Sequence, residues 1–246
     1  MKTVLLKFSG PLQSWGTDSH FETRHTDTYP SKSGVIGMIA SGLGYRRDEE
    51  EKLKRLNTLR FAVRIDQAGQ ILKDYHTVKK YKENGDFDRT YVTERYYLQD
   101  AVFIVALSSN DDELINDVIM AMKEPYFSLY LGRRSLPATA DLLIGVFDSD
   151  AITTLRKYPW QASDWYQRKY NNRNRLQIFA DEEMLGGERT QIRNDEVLSF
   201  SQHRGRKFSP RKEARLVVDV TAPIQPEEHD VFEAIERGKL ICIYHE

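Results

Sequence analysis

Val4, Leu6 and Phe8 alternate with Leu5, Lys7 and Ser9 before Gly10-Pro11, a pattern that predicts a first strand closed by a turn. A polar, aromatic loop runs from Gln13 to Tyr29. Behind Pro30-Ser31-Lys32-Ser33-Gly34, the residues Val35, Ile36, Met38, Ile39 and Leu43 recur at helical spacing, with Ser31 or Ser33 as N-cap and Gly44 as the stop. Glycines 34, 37 and 42 each cost on the order of 1 kcal/mol relative to alanine in a helix. They imply close packing of its backbone against a sheet or a ligand. Asp48 to Leu56 reads as a second, solvated helical segment. Leu59, Phe61, Val63 and Ile65 alternate with Arg60, Ala62, Arg64 and Asp66, which predicts a half-buried strand.

Past the turn Gln67-Ala68-Gly69-Gln70 the chain becomes basic and aromatic as far as Leu98, with Asn84-Gly85 at the centre. That dipeptide is a strong hairpin signal, so a long hairpin projecting from the body is expected over about 75–98. Ala101 to Leu107 is a continuous apolar run and predicts a buried strand. Asp111 caps a helix carrying Leu114, Ile115, Val118, Ile119 and Met122 on one face, and Leu142 to Phe147 makes another strand. The order over residues 1–148 is βαββαβ. It predicts an α+β, ferredoxin-like (RRM-like) unit with the projecting hairpin, a fold that many functions share. Residues 149–246 are expected to form a C-terminal, β-rich lobe. It holds a basic segment at 201–215, a strand from Leu216 to Val220, a helix over Asp230–Arg237 and a strand over Leu240–Tyr244.

Composition narrows the class. The chain has 246 residues, 40% of them hydrophobic and 11% aromatic, enough apolar surface to offset the entropy of ordering a globular core. Its single cysteine, Cys242, excludes an internal disulfide and a cysteine-rich zinc module, and the six histidines show no metal spacing. No cofactor or metal is expected. Apolar runs fall well short of the roughly 18 to 20 residues that span a bilayer, and Val4-Leu5-Leu6 is too short for a signal-peptide core. A cytoplasmic protein without a membrane partner is therefore expected. The net charge of −1 argues against a protein that coats duplex DNA, though not against a local basic groove.

Basic residues are in fact clustered. The hairpin interleaves Lys73, Lys79, Lys80, Lys82, Arg89 and Arg95 with Tyr75, Tyr81, Phe87, Tyr91, Tyr96 and Tyr97. Cations satisfy phosphates while rings stack on unpaired bases, a combination suited to single-stranded nucleic acid. Gly132-Arg133-Arg134 follows the aromatic stretch Tyr126–Tyr130, and Arg204, Arg206, Lys207, Arg211, Lys212 and Arg215 face only Glu213 in sequence. The helix start at Ser31, Lys32 and Ser33 offers free backbone N–H groups to a phosphate. It lacks the residues of a nucleotide loop. Each cluster equally describes a solvated face; three of them on a neutral chain favour an anionic partner. A metal-independent ribonuclease can also be assembled on paper from Asp74, Tyr75, His76 and Lys79. Adjacent strand residues, however, point to opposite faces.

Gly10-Pro11-Leu12-Gln13-Ser14-Trp15-Gly16, then Arg24, Thr26 and Pro30-Ser31-Lys32-Ser33-Gly34, resemble the opening of the Cas-five (CasD) family, a CRISPR-associated subunit of the type I-E Cascade complex. The resemblance continues at Asp74–Val78, Tyr97–Ala101 and Tyr130–Pro137, and ends at about 220. It implies a non-catalytic cap in antiviral defence. A palm would hold the repeat-derived 5′ handle of the guide crRNA, and a hairpin thumb would reach the adjacent Cascade backbone subunit, with the large subunit and target DNA close by. Carried onto this chain, the RNA-binding positions are Trp15, Arg24, Ser31, Lys32, Ser33, His76, Arg133 and Arg134. Lys79, Lys80, Arg204, Arg206, Lys207 and Arg211 join them from the basic clusters. Trp15 stays open between a base-stacking ring and a buried anchor. The alternative is a precursor-processing endoribonuclease, as in the related type I-C branch.

Overall fold

The structure is a computed structural model and describes residues 1–16, 22–170, 175–186, 190–201, 203 and 205–220. Arg204 and the expected helix and strand after residue 229 lie outside the described residues. In chain order the elements are β1 (Lys2–Ser9), β2 (Leu12–Gln13), β3 (Thr23–Arg24), α1 (Lys32–Gly42), α2 (Glu50–Asn57), β4 (Arg60–Gln67), β5 (Gln70–Tyr81), β6 (Phe87–Gln99), β7 (Val102–Ser109) and α3 (Asp112–Lys123). They continue with β8 (Leu143–Phe147), α4 (Ala151–Lys157), α5 (Asp164–Lys169), β9 (Arg175–Asp181), β10 (Thr190–Ser199) and β11 (Lys207–Asp219).

β4, β7, β1 and β8 lie side by side in that order, every neighbour antiparallel. The strands after residue 149 do not build a sheet of their own. β9 pairs along β4 and carries β11 and β10 outward, so seven strands form one sheet in the order β10-β11-β9-β4-β7-β1-β8. Side-chain alternation then divides the core. Val4, Leu6, Phe8, Phe61, Val63, Phe103, Val105 and Leu107 face α1, α2 and α3, while Leu5, Ala62, Ile104 and Ala106 face α4 and Trp160. The unbroken apolar run of β7 follows from this, since both its faces are covered.

The second cover corrects the half-buried reading of β4. Arg64 and Asp66 are sealed under the segment that follows α4. Arg64 reaches the Asp66 carboxylate through Nε at 2.6 Å and Nη2 at 2.8 Å, and donates as well to the carbonyls of Leu155, Tyr158 and Pro159. The Gln161 amide completes the set on the carboxylate, and Trp160 Nε1 donates to the Asp66 backbone carbonyl. Charge on the inner face of a strand survives because every donor finds an acceptor.

Ser31 is the N-cap of α1, its Oγ accepting from the Gly34 amide, and Asp111 caps α3 in the same way. The glycines of α1 pack closely, but against a helix and aromatic side chains rather than against a sheet or a ligand. A Cβ on Gly42 would stand 2.5 Å from the Ala121 carbonyl oxygen of α3, and one on Gly34 would press on the Trp15 ring. Residues 207–215 of the basic segment are strand, so the strand expected over Leu216–Val220 begins at Lys207 as β11, and Pro210 sits where its register with β10 shifts.

Candidate nucleic-acid interface

β5 and β6 pair from Gln70↔Gln99 to Tyr81↔Phe87 and form a ribbon. Its turn is a three-residue loop, Glu83-Asn84-Gly85, with the Gly85 amide on the Lys82 carbonyl at 2.9 Å and Gly85 at φ +88°. On the other edge of β6, β2 pairs at Leu98–Gln99 and β3, in parallel, at Glu94–Arg95. These two short strands splint the root. Beyond them the ribbon is two strands wide and leaves Tyr75, Val78, Tyr81, Phe87 and Val92 exposed.

The segment Tyr130–Pro137 folds back against that root. Leu131 and Leu136 are buried, the Leu131 amide donates to the Leu136 carbonyl, and the Ser14 amide donates to Leu131. Gly132, at φ +92°, lies so close to the chain that a Cβ would fall 1.6 Å from the Ser14 carbonyl oxygen; only glycine fits. This clamp fixes the two arginines after it. Arg133 Nη2 donates to the carbonyls of Arg24 at 3.1 Å and Tyr96 at 3.2 Å, and its guanidinium lies over the Tyr97 ring at 4.3 Å. Arg134 is exposed beside it. Between this loop and the ribbon runs a groove of about 440 Å³ lined by Leu12, Leu72, Lys73, Asp74, Tyr97, Ser135 and Leu136.

Arg24, Arg133 and Arg134 are thus brought together, and Arg24 pairs in register with Arg95. His76 lies farther along the ribbon, its Nε2 2.5 Å from the Asp74 carboxylate. Lys79 and Lys80 are exposed toward the tip, Lys80 with Asp88 at 3.4 Å. Arg206 and Lys207 are exposed at the start of β11, on the other sheet.

The remaining sequence candidates take a different role. Trp15 is 1% exposed, stacked on Phe8, with Nε1 donating to Gln13 Oε1 at 3.1 Å; of its two readings, the structure takes the buried anchor. Ser31 is buried as the cap and Ser33 is half-buried. Lys32 is 5% exposed, its Nζ on Asp181 at 3.2 Å and its amide on the Asp195 carboxylate at 2.9 Å. The helix start does bind an anion, and the chain supplies it. Arg211, 7% exposed, points inward to Asp195, Asp181 and Glu213 at 2.7–3.0 Å. Burial pushes the Asp195 carboxyl up, but the bonds and charge of Arg211 and the Lys32 amide bring it below its ordinary value. Burial likewise opposes the charge on Arg211, yet the same carboxylates raise its pKa on balance. Neither Lys32 nor Arg211 is free for a phosphate.

Sequence reasoning passed over Arg95 and Tyr97 as a pair. The signal was present, because alternation along β6 puts Arg89, Tyr91, Thr93, Arg95 and Tyr97 on one face.

A model of the CRISPR-associated protein (Cas5) family matches residues 3–212. The CRISPR system Cascade subunit CasD of Escherichia coli (strain K12) is 33% identical over 197 residues, covering 74% of this chain and 88% of that protein. A solved chain from a CRISPR RNA-guided surveillance complex superposes with a TM-score of 0.72 at 30% identity, over 97% of this chain and all of that one. A second, described as the crystal structure of a Cas protein, gives 0.63 at 30% identity, over 89% and 98% of the two chains. Among the described residues no helix is long and apolar enough to cross a membrane.

Proposed function

The chain belongs to the CRISPR-associated Cas5 family, and from that membership we propose that it is a non-catalytic, RNA-binding subunit of a type I-E Cascade surveillance complex. It holds the 5′ handle of the guide crRNA. The strand order β4-β7-β1-β8, with α1 and α3 on one face, supports reading residues 1–148 as a ferredoxin-like palm and the β5–β6 ribbon as its thumb. The carrying observation is the clamped loop that sets Arg133 and Arg134 against the root of a bare, projecting ribbon. Arginine forks on a rigid support suit phosphate oxygens. The exposed apolar residues of the ribbon suit a protein neighbour, the adjacent backbone subunit.

The test is binding of a repeat-derived 5′ RNA fragment across salt concentrations, alone and within the assembled complex. If Z phosphates are neutralised, log affinity falls against log salt with a slope of about −0.7Z. A salt-independent interaction, or none in either setting, sinks the proposal. No cleavage of repeat RNA is expected with Mg²⁺ or with a chelator. The register of β5 supports this, since His76 shares a face with Asp74 while Tyr75 and Lys79 occupy the opposite one. Cleavage at one position, abolished by His76→Ala, would reinstate the endoribonuclease.

A further inference from the structure

Seven side-chain polar atoms among the described residues are shielded from solvent without a hydrogen-bond partner, and three of them, Thr93 Oγ1, Arg95 Nε and Arg133 Nη1, belong to residues of the ribbon root. Thr93, Arg95 and Tyr97 are alternate residues of β6 and share one face. Arg133 lies over Tyr97, which places its guanidinium on that same face, and Arg24 stands beside Arg95 in register. Buried donors are almost always satisfied, so three orphans in one place call for an explanation. All three can donate. The charge around them is positive, from Arg24, Arg95, Arg133 and Arg134. Asp74, opposite Arg95 across the ribbon, already bonds His76, and neither it nor any other described carboxylate lies within ion-pair distance of Arg95 or Arg133.

We propose that this face of the ribbon root is a phosphodiester site, in which one backbone phosphate of the bound RNA accepts from Thr93 Oγ1, Arg95 Nε and Arg133 Nη1. The inference rests on the RNA-binding reading and adds to it the atoms that fix the strand's register. The grip is on backbone rather than on a base. Tyr97 is buried with the Arg133 guanidinium over its ring, which leaves that face unavailable for base stacking. Contact here is consequently indifferent to the identity of the neighbouring base, and any base reading lies elsewhere along the strand. The site parallels the α1 start, where equivalent donors are already filled by Asp195.

The test uses the full chain, Thr93→Val and Arg95→Gln variants, and repeat-derived 5′ RNA fragments carrying one neutral methylphosphonate linkage at a time. Wild type should lose about tenfold or more in affinity at one linkage, or two adjacent ones. Each variant should bind unmodified RNA at least tenfold more weakly and be insensitive to methylphosphonate at those linkages. Arg95→Gln should also flatten the salt slope by about 0.7, whereas Thr93→Val leaves the slope alone. Thr93→Val removes a partnerless buried oxygen at nearly constant volume, so its melting temperature should hold or rise while RNA affinity drops, a split that a structural role cannot give. Variants that keep the wild-type affinity and linkage profile overturn the site while leaving RNA binding in place. Retained RNA with failed joining to a neighbouring subunit also overturns it, assigning the three donors to a protein carboxylate. Absence of RNA binding by wild type in the assembled complex removes both this site and the function it rests on.

Discussion

Two groups of arginine and lysine in this fold differ in whether carboxylates pair with them. Around the α1 start, Lys32, Arg193 and Arg211 meet Asp27, Asp181, Asp195 and Glu213, and the network closes upon itself. Tyr29 and Gln191 add hydrogen bonds to Glu213 at 2.7 Å. At the ribbon root, Arg133 has two backbone carbonyls and an aromatic ring, and no described carboxylate lies within ion-pair distance of Arg24, Arg95, Arg133 or Arg134. Basic residues of one chain therefore serve two ends. In the first group they staple β10 and β11 to the helix layer; in the second they are held ready and left unneutralised. Local charge balance, not the number of cations, separates a structural arginine from an available one.

The sharpest way to break that contrast is to remove a cation from the closed group. Arg211→Met removes the one cation that bonds Asp181, Asp195 and Glu213 together and leaves Lys32 and Arg193 to balance three carboxylates, and the loss should be about 3 kcal/mol in denaturant unfolding. RNA affinity per folded molecule should not change. Lys32→Ala belongs on the same side, at smaller cost, because Asp181 keeps Arg211 and the Phe61 amide. From sequence alone Lys32 belonged with the phosphate contacts. The reverse pattern, intact stability with weakened RNA retention, would restore it there.

Arg133→Ala with Arg134→Ala tests the open group. Charge-assisted hydrogen bonds are worth about 1.5–3 kcal/mol, so RNA retention should weaken tenfold or more. Melting should shift little, because the loop is held by Leu131, Leu136 and the Gly132 contact rather than by the guanidinium groups. Lost stability with unchanged RNA retention would place these arginines in the closed class.

Acid provides a graded version of the same comparison. The Asp195 carboxyl is depressed in the fold by Arg211, against the opposing push of burial. A carboxylate with a lowered folded pKa contributes stability that is present above its unfolded value of about 3.9 and is lost as pH falls through the folded value. Acid unfolding should therefore set in below about pH 4 on account of this group. Arg211→Gln should move the onset upward, whereas Arg133→Ala should not move it. Coincident acid limbs for wild type and Arg211→Gln would deny the network its role.

Legibility in the sequence depends on the range of the interaction. β7 was readable because covering both faces of a strand demands an unbroken apolar run, and the caps Ser31 and Asp111 because they act over three residues. Arg64 and Asp66 were misread because the cover over them comes from residues 155–161, which no periodicity in β4 reveals. Arg211 was misread for a related reason. Its carboxylates come from three places, Asp181, Asp195 and Glu213, and only the pairing of β9 and β10 on either side of β11 brings them together. The family motifs located the Arg133–Arg134 loop, but the reason for Gly132 is a contact with Ser14 that spacing cannot show.

The smallest expected change in stability concerns the part of the ribbon that neither group of arginines holds. Past the splint of β2 and β3, the two strands pair only with each other among the described residues, and Lys79 and Lys80 stand in solvent. Replacing Lys80–Arg89 by Asn-Gly keeps the Lys79↔Thr90 pair and closes it with a two-residue turn suited to antiparallel strands. Few buried contacts are lost, so unfolding should move by about 0.5 kcal/mol or less, the range of surface substitutions. RNA affinity of the isolated chain should fall only by the cations removed. Joining to the adjacent backbone subunit should fail, since Tyr81 and Phe87, in edge-to-face contact at 6.2 Å, form the exposed aromatic tip. Aromatic side chains at a solvent-exposed tip supply binding area rather than folding energy. Normal assembly of the shortened protein would shift the partner surface to the root, next to Arg133, and make that region serve protein and RNA at once.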